Sequence, residues 1–322
     1  MKFIQCVVFS TFLLVFSSCQ KDKITLEWQQ ITSPYKADWR GIRFFDAQNG
    51  VIIGGNTWSG GFSLRTQNGG KTWHADSVQQ WSLYGLDMDK NPKNTEGVAL
   101  YTVGISGQIF NIKKTDTTFK KSAHPYWQWF RDVAVRRGTG VSVGGQAWQA
   151  GIVATFEAGG SGAIHLDTFP QEIESVAFAD DSTVVAVGYG LLIQSNNGGL
   201  SWKINNNIQG DFFTSICFPS EKTGYIVGFN GTILKTEDKA NTWKSLKSPR
   251  KIGGERFNAV FFTDILRGWI CGDNGLLWRT LDGGDTWTIM TGLPNTNFYD
   301  VFTNDTEGWL VGADATIIQF KL

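Results

Sequence analysis

The sequence predicts an all-β fold, a seven-bladed β-propeller built from four-stranded antiparallel blades. Two recurring motifs predict it. A turn motif appears as TQNGGKTW at 66–73, SNNGGLSW at 195–202, TEDKANTW at 236–243 and TLDGGDTW at 280–287. A second motif, a phenylalanine with a glycine ten positions later, occurs five times, at Phe44/Gly54, Phe178/Gly188, Phe218/Gly228, Phe262/Gly272 and Phe302/Gly312.

The spacing of the second motif matches the length of one propeller blade. With two looser copies, its starts fall at residues 44, 88, 135, 178, 218, 262 and 302, or every 40 to 47 residues. This period is typical of a four-stranded blade. Apolar residues alternate with polar ones within each repeat, which indicates strands.

Each repeat has a position for the core and a position for a tight turn. Trp39 and Phe130 are predicted to be core residues, because they share a register with Leu83, Ile173, Phe213 and Phe257. In the turn, Asp282 can accept hydrogen bonds from main-chain N–H groups, and Gly283 and Gly284 permit positive φ. We therefore interpret the turn motifs as hairpins and not as calcium sites.

The two ends of the chain are predicted to complete one blade together. Residues 24–31 resemble the strand that follows a turn motif, whereas the last repeat ends at 317–320 without such a strand. Pairing the two ends removes an exposed sheet edge. We therefore predict a single closed propeller over residues 24–322.

Residues 1–18 are predicted to be a lipoprotein signal peptide. Lys2 precedes an apolar run at 3–16, which is too short to span a membrane. Ser17-Ser18-Cys19 resembles the bacterial lipobox and predicts a lipid on Cys19. Residues 19–23 would then be a tether, and we expect the protein to be exported to the outer membrane, the periplasm or the cell surface. The alternative is an ordinary cleaved signal in which Cys19 has no role.

The composition excludes several classes of function. Without Lys2, 28 basic residues face 29 acidic ones. Such a balance argues against nucleic-acid binding and against electrostatic attachment to a membrane. The histidines and cysteines form no ligand cluster, so we expect no metal and no cofactor. Cys217 and Cys271 are predicted to be free thiols rather than a disulfide.

The complete repeat resembles two known kinds of propeller. The turns are similar to the Asp-box, or BNR, repeats of sialidase-like propellers. The full unit is more similar to the photosystem II stability/assembly factor family, whose bacterial relatives are seven-bladed propellers without known catalysis. This resemblance implies the fold and a role in binding, but it does not imply a photosynthetic host. The second and third repeats depart from the turn pattern.

The candidate binding residues lie on the face opposite the turn motifs. Gly-rich loops in the first and third repeats carry Trp58 and Trp148, and the connections between blades carry Arg40, Arg131, Arg256, Tyr126 and Trp127. Exposed tryptophans are costly unless they are covered or used, and Trp and Arg are enriched in binding hot spots. We predict that these seven residues bind a partner. Alternatively, the tryptophans cover blade edges and the arginines pair with Asp38, Asp132 and Glu255.

Three functions fit this pattern. The favoured one is a non-catalytic, lipid-anchored and monomeric propeller that holds a protein partner in the cell envelope. The second is a propeller that binds or cleaves glycans, in which Tyr299 with Glu174 or Glu255, or Asp300 with Glu174, would be placed to act. The third, a redox enzyme with a cofactor in the channel, has neither a phosphate loop nor metal-ligand spacing to support it.

Overall fold

The strands of the protein follow the predicted repeats. A computed structural model describes residues 23–89, 99–122, 128–146, 150–158, 163–206, 208, 211–246 and 256–322. Two short strands come first, β1 (Lys23–Thr25) and β2 (Trp28–Gln30). The strands form seven sheets, each of which is one blade, and strands that follow one another within a blade are antiparallel neighbours. The fold class is therefore confirmed.

Blades one and three have the longest strands. Blade one holds β3 (Asp38–Phe44), β4 (Gly50–Asn56), β5 (Gly60–Thr66) and β6 (His74–Gln79). Blade two holds β7 (Leu83–Met88), β8 (Ala99–Gly104), β9 (Ile109–Lys113) and β10 (Lys120–Ser122). Blade three holds β11 (Phe130–Arg136), β12 (Thr139–Gln146), β13 (Ala150–Glu157) and β14 (Ala163–Phe169).

Among the other four blades, blades four and five have outer strands of only two residues. Blade four holds β15 (Ile173–Phe178), β16 (Val184–Gly188), β17 (Leu191–Ser195) and β18 (Lys203–Ile204). Blade five holds β19 (Phe213–Cys217), β20 (Gly224–Gly228), β21 (Ile233–Thr236) and β22 (Lys244–Ser245). Blade six holds β23 (Phe257–Phe262), β24 (Gly268–Gly272), β25 (Leu277–Thr280) and β26 (Thr288–Thr291). Blade seven holds β27 (Phe298–Thr303), β28 (Glu307–Gly312), β29 (Ile317–Lys321) and β2.

The N-terminal residues close the ring, but with a shorter strand than predicted. Only β2 completes blade seven, where Trp28 lies opposite Phe320 in an antiparallel pair. The preceding strand β1 instead pairs in parallel with β26, with Lys23 opposite Ile289, and so adds a fifth strand to blade six. Residues 24–31 are thus divided between two blades and do not form one continuous outer strand.

The turn motifs are hairpins stabilised by their own side chains. Thr280 Oγ1 accepts the N–H of Gly284 at 2.9 Å, and Asp282 Oδ1 accepts the N–H of Thr286 at 2.9 Å. Gly283 and Gly284 have φ of 71° and 88°. Blade five forms the same turn with Lys239 and Ala240 at φ of 62° and 63°, which shows that the hydrogen bonds suffice there without glycine.

The hydrophobic core lies between neighbouring blades. In the cluster that joins blade seven to blade one, Trp309 and Val311 pack with Trp39, Phe44 and Ile52. Trp39 and Phe130 are both fully buried, as their register predicted. Cys217 and Cys271 are not joined in a disulfide, and Cys271 is buried in the cluster between blades six and seven.

Side chains of the innermost strands also join blades by hydrogen bonds. Asp300 Oδ2 accepts the N–H of Ile42 at 2.9 Å, across the seam between blades seven and one. The corresponding side chains join three further pairs of blades, through Asp132 to Val176, Ser175 to Ile216 and Ser215 to Val260. Since a buried N–H without a partner is costly, these bonds fix each blade against the next.

No helix among the described residues is long and apolar enough to cross a membrane.

Candidate functional site at the channel mouth

Every innermost strand has a β-bulge near its start. In β3 the pairing passes from Trp39 to Gly41, so that Arg40 is the extra residue. The same shift occurs in the other six innermost strands, where the extra residues are Tyr84, Arg131, Glu174, Thr214, Asn258 and Tyr299. A bulge turns a side chain out of the regular alternation. The seven bulged residues line one end of the central channel.

We call this end the channel mouth. It is a cavity of about 350 Å³, bordered by the seven bulged residues together with Arg43, Asp132, Tyr189, Arg256 and Asp300. The structure thus brings Arg40, Arg131 and Arg256, which the sequence placed on three separate connections, into one site. Two bulged residues serve the scaffold, because Thr214 and Asn258 donate hydrogen bonds to the carbonyls of Phe257 and Phe298 in the next blades.

Arg40 is held between a carboxylate and an aromatic ring. Its Nη2 lies 2.7 Å from Asp38 Oδ2, as one sequence alternative proposed, and its guanidinium lies 4.0 Å from the centre of the Tyr299 ring. Its Nε is buried and has no hydrogen-bond partner among the described residues. A planar guanidinium fixed in this way retains donors for an acceptor in the mouth.

Arg131 is held more tightly. Its Nε lies 2.8 Å from Glu172 Oε1, and the carboxylate of Glu172 is almost fully buried. The sequence alternative that paired Arg131 with Asp132 is therefore wrong, because Asp132 instead binds Ser175 in the next blade. Burial alone would lower the pKa of Arg131, but the nearby Glu174 and Glu172 raise it on balance, so this side chain is a permanent cation.

Arg256 begins a strip of aromatic rings that leads outward from the mouth. Its guanidinium lies 4.4 Å from the centre of the Phe229 ring, and no ion pair to it is seen in the described part of the chain. Phe229 lies 5.5 Å from Phe212, which lies 4.9 Å from Tyr189. We call these four residues the aromatic strip. The ring of Phe212 is 46% exposed.

The main chain holds the aromatic strip in place. Tyr189 and Phe212 form an isolated antiparallel bridge, and the N–H of Phe229 donates to the carbonyl of Phe212 at 2.9 Å. The N–H of Tyr189 donates to the carbonyl of Glu172 at 3.1 Å. The rings are therefore pre-organised, which lowers the entropic cost of binding a partner.

Glu174 pairs with a different tyrosine from the one predicted. The ring of Tyr299 lies beneath Arg40, whereas the hydroxyl of Tyr189 is hydrogen-bonded to Glu174. Burial raises the pKa of Glu174, although Arg131 opposes this effect. Burial and the adjacent Glu174 carboxylate raise the pKa of Tyr189 to about 12, so its phenol is protonated at neutral pH. Glu255, the other suggested partner of Tyr299, lies outside the described residues.

Deeper in the channel, buried carboxylates surround one arginine. Arg43 Nη1 lies 2.6 Å from Asp300 Oδ2, and both residues border the channel mouth as well as a cavity of about 440 Å³ at the other end of the channel. Asp300, suggested as a catalytic acid, is thus occupied by Arg43 and by the N–H of Ile42. Burial raises the pKa of Asp132 to about 7, against the hydrogen bonds from Ser175 and Val176.

Asp132 should make folding stability depend on pH. Because its pKa is raised in the folded protein, the folded state binds this proton more tightly than the unfolded state between about pH 4 and pH 7. The free energy of unfolding should therefore fall as pH rises through this window, by at most ~1.4 kcal/mol per pH unit. We expect Asp132→Asn to flatten this slope in urea denaturation at pH 5, 6 and 7. The control is Asp181→Asn, since ion pairs with Arg136 and Arg137 lower the pKa of Asp181; an unchanged slope in the Asp132 variant would contradict the assignment.

The predicted tryptophan patch is described only in part. Trp58 lies in the loop between β4 and β5, is 64% exposed, and contacts the edge of Trp129 at 5.4 Å between ring centres. Tyr126, Trp127 and Trp148 lie outside the described residues. Within the described ranges, no three His, Cys, Asp or Glu side chains are grouped closely enough to hold a metal ion.

Sequence reasoning found Arg256 but missed Tyr84 and the three aromatic residues of the strip. Tyr84 lies between two guanidinium groups, 5.5 Å from Arg40 and 5.2 Å from Arg131. Its position, one residue after the core position Leu83, is equivalent to that of Arg40 after Trp39. Comparing this register position across all repeats would have found it. Phe212 lies one residue before a core position and could have been found by the same comparison. Phe229 and Tyr189 could not, because only the fold brings their rings next to that of Phe212.

Comparison with known proteins supports the resemblance found in the repeats. Residues 205–294, which include blades five and six, match the family model described as photosynthesis system II assembly factor YCF48. No curated protein sequence matches the chain significantly.

Solved structures share the fold over almost the whole chain. YCF48 from Cyanidioschyzon merolae aligns with a TM-score of 0.67 at 17% identity, covering 91% of this chain and 98% of its own. A structure of YCF48 bound to D1 peptide aligns with a TM-score of 0.70 at 16% identity, covering 92% and 97%. The WD40 propeller domain of Doa1 aligns with a TM-score of 0.69 at 12% identity, covering 92% and 97%. At these identities the alignments show a shared fold. Together with the match over residues 205–294, they confirm that this chain is a seven-bladed propeller resembling the photosystem II stability/assembly factor family, YCF48.

Proposed function

We propose that this chain is a non-catalytic propeller that binds an extended segment of a protein partner at the channel mouth and along the aromatic strip. The observation that carries the proposal is the arrangement of Arg256 on Phe229, beside the exposed ring of Phe212. A partner carboxylate would meet the arginines, and a neighbouring apolar side chain would cover Phe212. A propeller of the same fold, YCF48, has been solved bound to D1 peptide, which supports a peptide as the ligand.

The charged side chains of the channel mouth define the rest of the proposed interface. Arg40 and Arg131 each keep guanidinium donors beside the ring of Tyr84, whereas Glu172 and Asp38 balance part of their charge. Such a mouth favours one or two carboxylates in a defined orientation over a generally acidic surface. Trp58, with Tyr126, Trp127 and Trp148 as predicted from the sequence, would extend the interface over blades one to three.

Substitutions in the aromatic strip should weaken binding without unfolding the protein. We expect Arg256→Ala and Phe212→Ser each to raise the Kd for a partner peptide at least ~tenfold, equivalent to ~1.4 kcal/mol. The probe is a peptide library in which carboxylates and apolar residues alternate, followed by titration of the peptides that bind. The matched control is Arg267→Ala, an exposed arginine at the opposite end of blade six. Equal affinity in the wild-type protein and both strip variants would exclude this site.

A glycan is the second candidate ligand. The contact between Tyr189 and Glu174, close to three arginines, resembles in composition the sites that bind acidic sugars. However, a phenol with a pKa of about 12 is a poor nucleophile, so we expect binding without cleavage. Chromogenic sialosides and other glycosides test this directly, and turnover that is abolished by Glu174→Gln would favour a hydrolase instead.

We also propose that the protein is a monomeric lipoprotein of the bacterial cell envelope, anchored through Cys19. The supporting pattern, an apolar run ending in Ser17-Ser18-Cys19, lies outside the described residues. Cys19→Ala should abolish incorporation of a labelled fatty acid and move the protein from the membrane fraction to the soluble fraction. A wild-type protein that incorporates no fatty acid would disprove the lipid anchor.

A further inference from the structure

Three large aliphatic side chains protrude together from one end of blade six. Ile265 and Leu266 lie in the turn between β23 and β24, and Leu281 lies in the turn between β25 and β26. Their exposures are 52%, 52% and 58%. We call these three residues the blade-six tip. A contiguous exposed apolar patch is one mark of a surface that contacts a protein or a membrane.

The blade-six tip is rigid. The N–H of Gly283 donates to the carbonyl of Leu266 at 2.9 Å and so ties one turn to the other. The carboxylate of Asp264 accepts the N–H groups of Leu266 and Arg267, each at 2.8 Å. The aliphatic side chains are therefore presented by the fold and are not the product of a loosely held loop.

The N-terminal strand approaches the same end of the same blade. β1 runs parallel to β26, and Lys23 pairs with Ile289, close to where β26 leaves the turn that carries Leu281. From Cys19 to Lys23 the chain advances four residues, which span at most ~14 Å. Ile24 on β1 and Trp28 on β2 are also exposed, at 45% and 37%. A lipid on Cys19 would therefore be held within ~14 Å of the start of β1, whose first pair with β26 lies toward the end of blade six that carries the tip.

We propose that the blade-six tip inserts into the surface of the lipid bilayer and sets the orientation of the propeller on the membrane. This inference rests partly on the lipid anchor proposed above. The proposal also fixes which end of the propeller faces the membrane. The tip lies at the end of the blades that carries the turn motifs, opposite the bulged residues, so the channel mouth would point away from the membrane toward a partner.

The chemistry of the tip favours lipid over a protein partner. Protein hot spots are rich in Trp, Tyr and Arg and poor in Leu, whereas the tip residues are all aliphatic. The nearest carboxylates are engaged locally, Asp264 with Arg267 and Asp282 with Thr286. The two turns hold Asp264, Asp282 and Asp285 against Arg267, so the tip has no excess of positive charge for anionic lipids. We expect insertion into a zwitterionic bilayer, driven by burial of apolar surface and insensitive to salt.

A fluorescent probe on the tip tests the proposal. The full chain, purified from membranes and reconstituted in phosphatidylcholine vesicles, carries an NBD label on Leu281→Cys in a Cys217→Ser background. The matched control carries the label on Leu200→Cys, because Leu200 is 48% exposed in the corresponding turn of blade four. We expect a blue shift and at least ~threefold stronger quenching by nitroxide-labelled lipid at position 281 than at position 200.

The outcomes separate the tip from the lipid anchor. Equal, water-like emission at both positions in floated vesicles would overturn the proposal. If the chain bears no lipid, the same two labelled proteins are titrated with vesicles: a shift at position 281 alone would support the tip while disproving the anchor, and no shift would overturn the tip. A blue shift at position 281 that grows with protein concentration and needs no lipid would identify a second copy of the chain as the occupant and refute insertion.

Discussion

Trp309→Ala is expected to lower the free energy of unfolding by ~3 to 5 kcal/mol, the usual cost of removing a large buried aromatic side chain. Trp309 is fully buried in blade seven, and its ring centre lies 4.3 Å from that of Phe44 in blade one. The cavity would open at the seam where the ring closes. Its Nε1 has no hydrogen-bond partner within the described residues, so the loss is one of packing alone. Urea denaturation monitored by circular dichroism measures the effect.

The control for this substitution is Trp58→Ala. Trp58 is 64% exposed, and a surface substitution usually changes stability by no more than ~0.5 kcal/mol. The two variants therefore separate a tryptophan of the core from one available for binding. A comparable loss of stability in both variants would mean that Trp58 is packed in solution, and the binding role proposed for it would then have to be abandoned.

Gln29→Pro is expected to destabilise the protein by ~3 kcal/mol, because proline removes a main-chain donor from the strand that closes the ring. Gln29 lies opposite Gln319 in the antiparallel pair between β2 and β29. Without that pair, blade seven exposes the edge of β29, and an exposed edge promotes aggregation. Thermal unfolding should shift to lower temperature and lose cooperativity, and light scattering should report aggregation.

Ile24→Pro provides the matched comparison. It affects only β1, which adds to the edge of blade six after that blade already has four strands. We expect a much smaller loss of stability than for Gln29→Pro. If the two substitutions lower the stability equally, β1 contributes to ring closure as much as β2. The division of residues 24–31 between two blades would then make no difference to the free energy of unfolding.

Much of the fold was predictable because a propeller repeats its local rules. The turn at 280–287 needs side-chain acceptors and positive φ at fixed positions, and both can be read from residue types. Trp39 was assigned to the core from its register, and it is fully buried. The division of residues 24–31 was not predictable, because β1 pairs with a strand more than 260 residues away, and the alternation of residues does not reveal which edge is free.

The candidate site was predictable only as a set of residues facing one end. The sequence placed Arg40 and Arg131 there, but it could not show which carboxylate each one meets. Arg131 binds Glu172, which follows it by 41 positions, because the next blade brings that carboxylate alongside. Glu174 meets Tyr189 and not Tyr299 for the same reason, since the loop after β16 folds back over the start of β15.

The number of blades, their four-stranded form, the chemistry of the turns and the end of the channel where polar side chains gather can all be read from the order of residues. These properties depend on spacing and residue type within about 45 positions of one another. The ring of bulged residues, the ion pairs of the arginines, the aromatic strip and the exposure of the blade-six tip become visible only in the folded protein. The ion pair of Arg131 and the aromatic strip depend on contacts between neighbouring blades, whereas the bulges and the tip depend on strand register and turn geometry within a blade.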